Sequence, residues 1–369
     1  MKQLPIPSFF DSKNAGRWSY SPDQTRLFND AVAFKRAHDI KPAASSKVRI
    51  HPLLIDVQKD FCFPWNDQTH SGGTLYVGGR SGTGAVDDSA RIAQFIYRNS
   101  HLLTGLTTTL DTHFAFQIFS APFWLTADGQ PLSSHTLIDV GQSGVLVNLD
   151  LSGKVLHNNV NPNPALAAFL CNGDYSWLCS QAKFYCEELA RGKKYKLYLW
   201  PPHTMLGSDG HALVGVVHEA RLFFSYLRSV QTDCEIKGGN PLTENYSIFQ
   251  PEVLMRWDGK PLAQRNTGFL KTMLGNDVVP LLGQAGSHCL KSSIEDLLTE
   301  IQTVDPKLLS RCYVVTDCSS AVAVPDGKGG FLADFTPQME EAYQRFADAG
   351  MHLVKSTEPI ESWPGVHLN

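Results

Sequence analysis

The sequence predicts an α/β protein in three α/β/α layers: a parallel sheet with helices on both faces, interrupted by a large insertion. Near-continuous apolar runs recur along the chain, and helical periodicities separate several of them. Strands of that kind are buried on both faces, as in a parallel sheet covered by crossover helices. The rhythm fails once, between about Phe114 and Lys194, where Gly, Pro and Asn punctuation and many aromatic residues replace it.

The strands are expected at His51–Ile55, Leu103–Leu110, Tyr195–Trp200, Cys234–Lys237, Asp277–Leu282, Cys312–Thr316 and Met351–Lys355. Helices are expected at Asp23–Ala37, Ser89–Arg98, Ala212–Ser229, Leu262–Leu274, Leu290–Ile301 and Pro337–Ala349, with one more in the insertion at Gln181–Arg191. The periodicity is clearest after Cys289, where Leu290, Ile294, Leu297, Leu298 and Ile301 share one helical face. This divides the chain into an N-terminal arm (1–48), a core (49–114 and 195–356), the insertion (115–194) and a tail (357–369).

A net charge of −4 over 369 residues, with no basic run, speaks against nucleic acid and against an anionic membrane surface as partners. No stretch is apolar enough for a signal peptide or a membrane span, so a cytoplasmic protein acting on a small molecule is expected. The eight cysteines form no Cys-x-x-Cys pair and are expected as free thiols.

The chemistry-bearing residues gather where strands end, which is where open parallel sheets bind ligands. Cys289 follows a small-residue turn and opens a helix, a place that favours a thiolate; taken alone, it reads first as a small buried hydrophobe. Asp56 ends the first strand as a proton acceptor or as a turn residue. Asp111 and His113, two apart on a strand, point to one side, and His203 follows Trp200-Pro-Pro. An Asp/His/His set with open positions suits zinc, iron or manganese. Lys237 closes an apolar strand before Gly-Gly, a poor context for a surface charge.

Taken in order, these segments resemble the isochorismatase-like cysteine hydrolases, and among them the nicotinamidases. The motifs are Asp56-x-x-x-Asp60-Phe61, Asp111-x-His113, Trp200-Pro-x-His203, Lys237-Gly, Tyr246-Ser247-x-Phe249 and Gly283-x-Ala285-x-x-x-Cys289. The resemblance implies a catalytic triad of Asp56, Lys237 and Cys289, and an oxyanion hole from the N–H groups of Ala285 and Cys289 beside a cis Gln284–Ala285 bond. It further implies substrate contacts at Phe61, Trp200 and Tyr246, and a divalent metal, zinc before iron or manganese, on Asp111, His113 and His203. The implied activity is hydrolysis of a small carboxamide to carboxylate and ammonia through a thioester. A metal-free ureide or carbamoyl amide hydrolase and a silent scaffold on the same fold are the alternatives.

The sequence departs from that pattern in three ways. The whole insertion separates His113 from His203, no further histidine follows in Phe114–Trp124, and Thr204 stands where many members have cysteine. Because its ends adjoin two metal motifs, the insertion is expected to form a substrate-selecting lid or the interface of a homo-oligomer.

Overall fold

A computed structural model describes residues 3–192 and 195–368. Six strands form the central sheet: β1 (Leu53–Ile55), β2 (Thr107–Asp111), β3 (Asp233–Lys237), β4 (Val279–Gly283), β5 (Cys312–Val315) and β6 (His352–Val354). Their order is β3-β2-β1-β4-β5-β6, and every pairing is parallel. The chain therefore winds outward from β1 to β3, returns to the centre at β4, and winds out the other way. A crevice opens where the winding reverses, beyond the carboxyl ends of β1 and β4.

The side chains of β1 show why two helical layers are needed. Leu53 and Ile55 enter one apolar cluster and Leu54 the other, all fully buried. One layer contains α1 (Gln24–Ala37), α2 (Gly84–Asn99) and α4 (Gly215–Arg228), which pack together. The N-terminal arm is thus part of a core layer: Leu27 and Ala31 of α1 are buried against α4 and its neighbours. The opposite layer holds α5 (Cys289–Val304) and α6 (Thr336–Asp348), together with α3 (Tyr175–Arg191) from the insertion. In α5, Leu290, Ile294, Leu297 and Ile301 are at most 1 % exposed, with Leu298 partly buried beside them. Each such burial is worth roughly 1.5–3 kcal/mol.

One expected strand is corrected. Leu197–Leu199 does not join the parallel sheet but pairs antiparallel with Thr136–Val140, at the edge of a four-stranded sheet completed by Leu146–Leu149 and Val155–Asn158. The physical reason lies in its pattern: Leu197 and Leu199 are buried while Lys196 and Tyr198 are not, an alternation typical of antiparallel strands with one wetter face. A further antiparallel pair, Ala323–Pro325 with Phe331–Asp334, rises between β5 and α6. All eight cysteines are unbonded, and among the described residues no helix is long and apolar enough to cross a membrane.

Candidate active site

The parallel register sets Asp111 directly beside Lys237 at the ends of β2 and β3. Lys237 Nζ lies 2.9 Å from Asp111 Oδ1, 3.0 Å from Asp56 Oδ2 and 3.7 Å from Cys289 Sγ. The three expected triad residues therefore meet around one ammonium, with Asp111 as a fourth member. Asp56 turns off β1 with a φ of 46° and is gripped by β2: Thr109 Oγ1 donates to its Oδ1 at 2.5 Å and accepts from its N–H at 3.0 Å. Gln58 braces the next strand end by accepting from Asp111 N–H and donating to Asp111 C=O, both at 2.8 Å.

These groups are buried, so charge balance decides their protonation. Burial drives the Asp56 carboxyl above its ordinary range, with Lys237 opposing it only in part. Burial also acts to raise Asp111, but His113 and Lys237 outweigh it and hold that carboxyl well below its usual range. Burial opposes the charge of Lys237, yet Asp111, Asp56 and Cys289 keep the ammonium firmly protonated. Cys289 is raised by burial despite Lys237, so its resting form is the thiol and a proton acceptor must accompany its attack. Asp56, on the same ammonium and raised in pKa, is suited to accept.

Cys289 is the first residue of α5, as its periodicity predicts. The preceding turn holds the expected cis Gln284–Ala285 bond, supported by Gln284 Nε2 donating to Asp88 Oδ2 at 2.9 Å. Within the turn His288 and Leu290 both donate N–H to Ala285 C=O, at 3.0 and 3.2 Å. Among the described residues the N–H groups of Ala285 and Cys289 donate to nothing. Two uncommitted donors at a helix start form a place for developing negative charge.

Asp111, His113 and His203 converge with ligand atoms within 4.8 Å of one another. His113 Nδ1 faces Gly238 C=O at 3.2 Å, and His203 Nδ1 faces Pro201 C=O at 2.8 Å. A carbonyl only accepts, so the tautomer with its hydrogen on Nδ1 satisfies each carbonyl and leaves each Nε2 a lone pair for a metal. Those two Nε2 atoms lie 2.8 and 3.7 Å from Asp111 Oδ2. Three electron-pair donors thus face a common point, an arrangement that a divalent cation satisfies. Burial lowers the pKa of His113, which favours the neutral, metal-binding imidazole. Gly238 is required here: its φ is +87°, and a Cβ would come within 2.7 Å of both Asp111 Oδ1 and His113 Cε1. Asp60 secures the His203 loop by accepting from Thr204 N–H at 2.6 Å.

Phe61, Trp200 and Tyr246 all line the cleft at Cys289, together with Asp111, His203 and Ala285. Phe61 stands edge-on to His203, and Trp200 Nε1 donates to Tyr246 Oη at 2.8 Å. Two polar lining residues carry little signal in the sequence. His288 stands edge-on to both Trp200 and Tyr246, and burial holds its pKa down to about 4, leaving it neutral. Glu244 is buried in the same wall with its Oε1 accepting from Asn245 N–H at 2.7 Å. Burial, aided by the charge of Asp111, pushes its pKa up to about 8, so it presents a neutral carboxylic acid to the cleft. The only sequence signal for Glu244 was its place two residues before Tyr246, and for His288 its place beside Cys289.

No family model matches the chain, and no curated protein does either. Among solved structures it overlaps loosely with a nicotinamidase/pyrazinamidase of Acinetobacter baumanii, at 16 % identity over 84 % of this chain and 97 % of that one, with a TM-score of 0.44. A yeast nicotinamidase overlaps at 14 % identity over 83 % and 99 % of the two chains, with a TM-score of 0.46. For a Pyrococcus horikoshii pyrazinamidase in complex with zinc the values are 12 %, 83 %, 99 % and 0.40. Overlaps this loose decide nothing about the reaction, which rests on the site's own geometry.

Proposed function

We propose that the protein is a cysteine-dependent amidohydrolase of nicotinamidase type, cleaving a small carboxamide to a carboxylate and ammonia. One observation carries this reading: Lys237 Nζ holds Asp56 at 3.0 Å and the Cys289 thiol at 3.7 Å in a buried cleft. Nucleophile, proton acceptor and fixed positive charge are what a covalent acyl transfer needs.

In this reading Asp56 takes the thiol proton as Cys289 Sγ bonds to the amide carbon. The carbonyl oxygen becomes an oxyanion against the N–H groups of Ala285 and Cys289, an interaction worth about 3–4 kcal/mol per donor. Collapse of the adduct breaks the C–N bond, and Asp56 returns its proton to the departing ammonia. Water then attacks the thioester while Asp56 again accepts a proton; the C–S bond breaks, the thiol is restored, and the carboxylate leaves. Lys237 keeps Asp56 oriented and supports the negative sulfur throughout.

Asp111, His113 and His203 would hold a divalent metal, zinc in the first instance and otherwise iron or manganese. When bound, such an ion supplies a Lewis acid able to orient a ring nitrogen or a water. The eight free thiols accord with a reducing, cytoplasmic setting. Ammonia release from a panel of small primary amides tests the proposal. Turnover by the wild type and none by Cys289→Ala is expected, and equal rates in the two would overturn it.

A further inference from the structure

The cleft at Cys289 is narrow, about 30 Å³, and a larger cavity adjoins it. Three of its walls, Trp200, Tyr246 and His288, are also walls of a second cavity of about 550 Å³. The two spaces therefore share a partition of three rings. That larger chamber is assembled from parts remote in sequence: Leu137 and Tyr198 come from the insertion's sheet, Lys291 from the first turn of α5, and Leu332 and Phe335 from the segment between β5 and α6.

The chemistry of its lining is aromatic and close to neutral. Tyr198 lies face to face on Trp200 with ring centres 3.8 Å apart and planes 26° from parallel, so the wall at this point is a double layer of rings. Phe335 meets His288 edge-on at 4.9 Å. The charged groups along the walls are already engaged: Lys196 with Asp139 at 2.8 Å, Lys291 with Glu295 at 3.6 Å and Asp334 with Arg80 at 2.8 Å. Lysines tied at their heads offer their methylene stems to a ligand. Pockets of several hundred Å³ with apolar, aromatic walls hold ligands larger than a single ring.

We propose that this chamber is a second subsite that receives the acyl portion of the substrate, making extended arylcarboxamides of two or more rings the preferred class. The carboxamide end enters the narrow cleft toward Cys289, and the further rings pack against the stack of Tyr198 on Trp200. The catalytic half of this statement rests on the amidohydrolase reading; the binding half does not.

Two measurements separate them. The first is kcat/KM for one-ring and two-ring arylcarboxamides, with nicotinamide as the one-ring member. The second is calorimetric binding of the matching carboxylic acids to Cys289→Ala protein. The two-ring compound is expected to lead at least tenfold in both. Leu332→Trp, at an exposed rim position, and Leu137→Trp should each cut that lead about tenfold by filling the chamber. Equal binding and equal turnover of one-ring and two-ring compounds, or a lead untouched by both tryptophans, would overturn the second subsite while leaving the amidohydrolase standing. Two-ring acids that bind tightly to a protein hydrolysing no amide would uphold the subsite and defeat the amidohydrolase.

Discussion

Lys237 and Asp111 form a bridge between two halves of the site: Asp111 Oδ1 lies 2.9 Å from the Lys237 ammonium while its Oδ2 faces His113 at 2.8 Å. One carboxylate thus belongs both to the cysteine cluster and to the histidine cluster. Truncating Lys237 leaves Asp56 and Asp111 buried without their cation, which costs about 3–5 kcal/mol for a broken buried pair. Lys237→Ala should therefore lower unfolding free energy by about that amount in urea, with metal removed, as well as abolish turnover. A variant inactive but as stable as wild type would show that the ammonium is not the keystone of the buried charges.

Cys289→Ala removes one sulfur from a helix start and should keep the melting temperature close to wild type while lowering turnover by about a thousandfold or more. Asp56→Asn should be impaired to a similar degree. Because sulfur, carboxylate and ammonium act on one proton and one nucleophile, their losses should not add. A triple variant whose logarithmic loss equals the sum of the single losses would argue for independent roles.

The histidine cluster predicts about one equivalent of divalent metal per chain in purified protein, measured by elemental analysis. His203→Ala removes one of three donors and should lose that metal, and the same loss should follow chelation. Full hydrolysis by chelated, metal-free protein would instead place the chain with metal-independent amide hydrolases.

Much of this site was legible because its residues end apolar strands, where hydrophobic pattern and chemistry meet. Asp56 and Asp111 were placed that way, with Ile55 and Leu110 beside them, and Cys289 by the helical pattern that Leu290 opens; Lys237 instead ends an edge strand whose Ile236 is 64 % exposed. Leu197–Leu199 was misassigned because an apolar strand of three residues does not declare its partner; only the alternation of Lys196 and Tyr198 hinted at an antiparallel sheet. The pair Ala323–Pro325 and Phe331–Asp334 gives little strand signal, since Pro325 and the Gly-rich Asp326–Gly330 segment dominate it and Phe331 and Leu332 are exposed. The chamber depends on that pair, on the insertion's sheet and on α5 together, a coincidence that no local window contains.

Glu244 gives the sharpest dependence on pH. Its carboxyl titrates near 4.5 in an unfolded chain and about 8 in the fold, with burial as the main cause. Below about pH 4.5 it is protonated in both states and stability is at its fullest. As pH rises toward 8 only the unfolded chain ionises, so stability falls; above 8 both states are ionised and the loss is complete. At ~1.4 kcal/mol per pKa unit the loss is on the order of a few kcal/mol. Glu244→Gln stays neutral and retains an oxygen to accept from Asn245 N–H. Urea unfolding of metal-free protein should therefore show the variant more stable than wild type at pH 9, less so at pH 7, and nearly equal at pH 5. Parallel stability profiles for the two proteins across that range would mean that Glu244 is ionised in the fold, and that the cleft wall carries a charge rather than a hydrogen-bond donor.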